Sequence, residues 1–91
     1  MQTDVKVFTP ELLVAIFPNL TVQFKKQPFH YNLHVDVLNG DDLIKLVEIY
    51  LECAVDLFIY RYNKGLTIKI TPHPEGYNKP RVLKLTPLEV A

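Results

Sequence analysis

The segment from Asp41 to Val55 constrains this chain more than any other. Its charged members Asp41, Lys45, Glu48 and Glu52 are spaced by four, three and four. At about 100° per residue they fall in a helical wedge only roughly 60° wide. Leu43, Ile44, Leu46, Val47, Ile49, Tyr50, Leu51, Cys53, Ala54 and Val55 take the rest of the circumference. An ordinary surface helix buries one stripe, whereas this pattern asks for cover on nearly three sides. A chain of 91 residues has few elements to give it, so a partner chain enters the reading at once.

That length makes one α+β domain, residues 1–91, near the lower end of independent stability. A hydrophobic share of 48% is that of a globular chain. Net charge is zero, which implies no gross polyanion or polycation partner, but the charges are unevenly placed. Residues 1–56 hold four Lys/Arg against eight Asp/Glu, and residues 57–91 hold six against two. Such asymmetry reads as an anion-binding face, as two halves that attract each other, or as two copies that do. The single cysteine, Cys53, excludes an intramolecular disulfide and reads as a buried thiol. Leu12 to Phe17 is too short an apolar run for a leader, and Lys45, Glu48, Glu52 and Asp56 break the longest candidate membrane span. A cytoplasmic protein without membrane contact is expected.

Val5 to Phe8 fits a short first strand, with Val5 and Val7 on one side. Thr9, Pro10 and Glu11 open a short helix, Thr9 as its cap, that stops near Phe17 before Pro18. Leu20 to Lys26 alternates, with Leu20, Val22 and Phe24 on one side. Phe29, Tyr31, Leu33, Val35 and Val37 then share one face of a strand and His30, Asn32, His34 and Asp36 the other. Asn39 or Asp41 caps the main helix. Leu57 to Tyr62 is a strand apolar on both faces, in which Phe58, Tyr60 and Tyr62 alternate as a core face would. Asn63, Lys64 and Gly65 make a tight turn with Gly65 at positive φ, and Leu66, Ile68 and Ile70 point inward from the next strand. A proline-rich loop, Pro72 to Pro80, leads to a last strand, Arg81 to Thr86, with Leu83 and Leu85 inward.

The resulting order is (β)αββαβββ: one short and one long helix on a mostly antiparallel sheet of four to six strands. A ferredoxin-like βαββαβ core is one arrangement that fits, with Val5 to Phe8 as its first strand. A meander with the main helix packed across it is the other.

Chemistry is thinly represented. His34 and Asp36 leave one strand face close enough to share a proton or a metal. His30 and His34 lie about 13 Å apart along the strand, too far for one ion. His73, Glu75 and Tyr77 share a stiff loop, but no nucleophile with its base and orienting group can be named. Gly40, Gly65 and Gly76 stand alone, so no phosphate-binding loop is present in the sequence. No enzyme and no cofactor is expected.

The expected function is a small non-catalytic interaction or regulatory domain, a homodimer that binds a protein partner. Leu43, Val47, Tyr50, Leu51 and Ala54 would give apolar contact, and Tyr77 a loop anchor. The alternative is a nucleic-acid-binding module built on the basic, aromatic C-terminal third, with Arg61, Lys64, Lys69, Lys79, Arg81 and Lys84 on phosphates.

Overall fold

A computed structural model describes residues 6–27, 29–62, 64–74 and 76–86. Their order is α1 (Glu11–Ile16), β1 (Gln23–Lys26), β2 (Phe29–Val35), α2 (Gly40–Glu52), β3 (Val55–Tyr62), β4 (Gly65–Pro72) and β5 (Leu83–Leu85). The protein is an α+β fold with two helices on a five-stranded mixed sheet.

The main helix starts where the sequence marks it. Asn39 holds the cap position in extended backbone, and its Oδ1 accepts from the Asp42 amide at 2.8 Å. Asp41 and Asp42 sit in the first turn, where the helix dipole favours negative charge. The helix ends at Glu52, short of the expected Val55, because Cys53 turns to extended backbone and Val55 opens β3. The short helix is capped differently from expectation. Pro10, not Thr9, takes the cap position, no side chain caps it, and the Pro10 carbonyl accepts from Leu13 and Val14.

The sheet order is β1-β2-β4-β3-β5. Both β2 and β3 run antiparallel to β4. They therefore point the same way, joined by α2 with β4 inserted between them. β5 pairs parallel with β3, which makes the sheet mixed rather than wholly antiparallel. The connection explains this. β4 ends at Pro72 opposite Val55, where β3 begins, and His73 and Arg81 are both held at that end, on the Ala54 and Cys53 carbonyls. β5 enters opposite Leu57 on the free edge of β3 and can only run beside it in the same direction.

One apolar cluster joins the layers. Leu13 and Phe17 enter from the α1 segment and Leu46, Ile49 and Cys53 from α2 and its end. Leu33, Val35, Val55, Leu57, Ile59, Leu66, Ile68 and Ile70 enter from the sheet. The inward alternation expected for β4 therefore holds, and so do Leu33 and Val35 of β2. The aromatic strand, whose buried face its pattern leaves open, turns its aliphatic side inward. Val55, Leu57 and Ile59 fill the core, while Phe58 is half-buried and Tyr60 exposed on the opposite face. A strand apolar on both sides carries no periodic signal, so packing decided the face.

Other strands are shorter than their patterns. β1 begins at Gln23 rather than Leu20, and β2 stops at Val35, leaving Val37 exposed. Leu83 and Leu85 lie on the core side of β5 by register but stay exposed, because β5 is an edge strand of three residues. Of the expected first strand, Lys6 makes one parallel bridge to Cys53 and Val7 is exposed; Val5 lies outside the described residues. Positive φ is found at Gly76 (84°), not at Gly65, which instead starts β4 opposite Tyr62.

Candidate functional site

The surface of α2 divides into three. Leu46 and Ile49 are buried, and Leu43 and Tyr50 pack beside them against the core. Asp41, Lys45, Glu48 and Glu52 face outward. Between these lies an apolar shoulder at i, i+3 and i+7: Ile44 is 60% exposed, Val47 half-buried and Leu51 67% exposed. The helix is thus covered over less of its circumference than its composition asks for. Ile44 was not among the expected contact residues. Its signal was available, since it borders the charged wedge 40° from Glu48 at about 100° per residue.

The shoulder runs into a cleft of about 210 Å³ lined by Leu51, Cys53, Ala54, Tyr77, Lys79 and Arg81. The cleft forms where Arg81 is tied to the end of α2. The Arg81 guanidinium donates to the carbonyls of Tyr50 and Cys53, and its carbon lies 4.4 Å from the Tyr50 ring centre. The last turn of α2 has no basic residue of its own, so Arg81 supplies the positive charge that the negative end of the helix dipole favours. Farther along, the His73 ring stacks on Tyr77 at 3.7 Å and 2°. His73 Nε2 stands 3.0 Å from Asp56 Oδ1, which also accepts from the Val82 amide at 2.8 Å. The His73 nitrogen makes no directed hydrogen bond, so its link to Asp56 is an ion contact when the ring is charged.

Three of the six expected partner contacts, Leu51, Ala54 and Tyr77, therefore meet at one cleft. Leu43 and Tyr50 turn to the core, and Val47 belongs to the shoulder. The expected cations separate into distinct places. Lys69 and Lys84 lie on the helix-free sheet face, Lys79 and Arg81 line the cleft, and Arg61 and Lys64 are exposed near the β3–β4 turn.

The histidines have partners that sequence spacing did not suggest. His34 Nδ1 lies 2.7 Å from Thr67 Oγ1, and His73 meets Asp56; Glu75 lies outside the described residues. The strand face expected to be wet is partly enclosed: His30 is buried, and Asn32 Oδ1 is buried without a hydrogen-bond partner among the described residues. No group of three or more His, Cys, Asp or Glu side chains converges among the described residues.

Burial pushes the Cys53 thiol above its ordinary pKa, and the neighbouring Glu52 charge adds to the shift. Lys6 is raised by its hydrogen bond to Glu52, 2.8 Å long and fully at the surface. No described helix is long and apolar enough to cross a membrane. No family profile, curated protein or solved structure matches the chain.

Proposed function

We propose that this chain is a small, non-catalytic interaction module of the cytoplasm, acting as a homodimer that binds a protein partner. One observation carries the reading: the apolar shoulder of Ile44, Val47 and Leu51, left outside the core and continuous with the Leu51–Ala54–Tyr77 cleft wall. The shoulder suits a second copy. Two α2 helices crossing antiparallel about a two-fold place Ile44 of each against Leu51 of the other, with Val47 near the axis. A standard interface hides about 800 Å² on each copy, which requires the cleft wall to join the shoulder. The partner protein would then use what remains of the cleft, where Tyr77 offers an aromatic anchor. The buried, unpaired Cys53 is in keeping with a reducing compartment.

Ile44→Glu and Leu51→Glu test this. Each puts a charge on an exposed position, so circular dichroism and the melting temperature should stay close to wild type while sedimentation shifts to monomer. Unfolding of both variants, or a dimer that persists in both, would overturn the reading.

A further inference from the structure

We infer that the helix-free face of the sheet binds single-stranded nucleic acid. The face is defined by register. Gln23 pairs with Asn32, Asn32 with Lys69, Lys69 with Phe58 and Phe58 with Lys84, so one row crosses all five strands. A second row joins His34, Thr67 and Tyr60. Both helices and the apolar cluster lie on the other side of the sheet.

Three features of this face fit an extended single strand. Phe58 and Tyr60 stand two residues apart on β3, so they share one face with their Cα atoms about 7 Å apart along the strand. Tyr60 is exposed, and Phe58 is half-buried under the Lys69 ammonium, 5.5 Å from its ring centre. Every base has a face that stacks on such rings, which makes the mode tolerant of sequence. Lys69 and Lys84 flank Phe58 on its two neighbouring strands, and Lys25 lies on the same face of β1 opposite His30. A base arriving over Phe58 releases Lys69 to a phosphate.

Charge supplies the choice of occupant. This face presents Lys25, Lys69 and Lys84 against two carboxylates, Asp56, which is already engaged by Val82 and His73, and the exposed Asp36 just past the end of β2. The acidic residues Glu11, Asp41, Asp42, Glu48 and Glu52 lie in the helix layer. Lys69 and Lys84 from the basic C-terminal third and Lys25 from β1 thus make this face the cationic one, backed by a more acidic helix layer. A duplex is the poorer fit, since the described residues of this face offer no helix to enter a groove. The inference is independent of the dimer, which uses the opposite side of the molecule.

Fluorescence anisotropy with labelled twelve-residue oligo-dT and oligo-U tests it. Three phosphate contacts give a salt slope of about −2, so affinity should fall roughly twentyfold between 50 and 200 mM salt. Tyr60→Ala should weaken binding about tenfold or more. Lys69→Gln and Lys84→Gln, which carry little risk to folding, should each weaken it and flatten the salt slope by about 0.7. Ile44→Glu should leave it unchanged. Absence of saturable binding at 50 mM salt would overturn the inference. So would equal binding of duplex, or of polyglutamate with no dependence on Tyr60, the latter marking an acidic-peptide surface instead.

Discussion

The Cβ that Gly65 lacks would stand 2.4 Å from the carbonyl oxygen of Val35. Gly65 is therefore required by the close approach of β4 to β2, not by its own dihedral angles. The obstructing atom is backbone, so it cannot rotate away, and an added methyl forces the Val35 end of β2 and the start of β4 apart. Gly65→Ala should cost about 2 kcal/mol or more in denaturant unfolding. It should lower hydrogen-exchange protection first at Leu66 and Val35. An unchanged midpoint would show that the two strands part without penalty.

Arg81 does from a distance what a lysine in the last turn of a helix usually does nearby. Arg81→Ala removes charged hydrogen bonds to the Tyr50 and Cys53 carbonyls and the stacking on Tyr50. A loss of about 1–3 kcal/mol is expected. Lysine should restore only part of it, because an ammonium can reach the two carbonyls that Arg81 Nη1 serves but has no planar guanidinium to lie over the Tyr50 ring. Exchange measurements should find the end of α2 and the Val82–Leu57 bond loosened together.

Cys53 is 2% exposed with its thiol pKa raised by burial. Alkylation at mildly alkaline pH should therefore be slow in the folded protein and follow unfolding. The linkage has a definite sign. The unfolded thiol ionises at lower pH than the folded one, so the unfolded state gains as pH rises. Stability should fall as pH climbs from the ordinary thiol range through the raised folded value. Cys53→Ala should abolish that alkaline slope, whereas Cys53→Ser should cost about 1–3 kcal/mol for an enclosed hydroxyl.

Leu57 and Leu83 are register partners with opposite weights. Leu57 is 1% exposed and Leu83 42% exposed. Leu57→Ala should destabilise by about 2–5 kcal/mol, and Leu83→Ala by well under about 1 kcal/mol. Comparable losses at both positions would mean that β5 is packed as a core strand.

The sequence carried the parts of the fold that rest on local pattern. Strict alternation identified the inward residues of β4 and the Leu33 and Val35 side of β2. Of the two caps the pattern offered, Asn39 and Asp41, Asn39 starts α2. What it left undecided depended on contacts between distant residues. Leu57 to Tyr62 is apolar on both faces, so only packing against α2 could choose Val55, Leu57 and Ile59 as the core. The direction of β5 followed from the end of the sheet at which His73 and Arg81 are held. Arg81 read as a free cation because nothing local shows that it reaches back to the end of α2. His73 likewise found Asp56, seventeen positions earlier, which no local spacing shows. On the candidate surface, the wedge of charges already implied an uncovered apolar flank. Locating it at Ile44, Val47 and Leu51 required knowing how little of the helix the sheet and α1 cover.

Sedimentation equilibrium of the unmodified protein tests the central proposal most directly. Spanning about 1 to 200 μM covers the affinities expected of an interface this small. The account predicts a reversible rise from the 10.5 kDa chain mass to twice that value, abolished by Leu51→Glu. A mass that stays at 10.5 kDa across the range would contradict it, leaving the α2 shoulder exposed in a monomer.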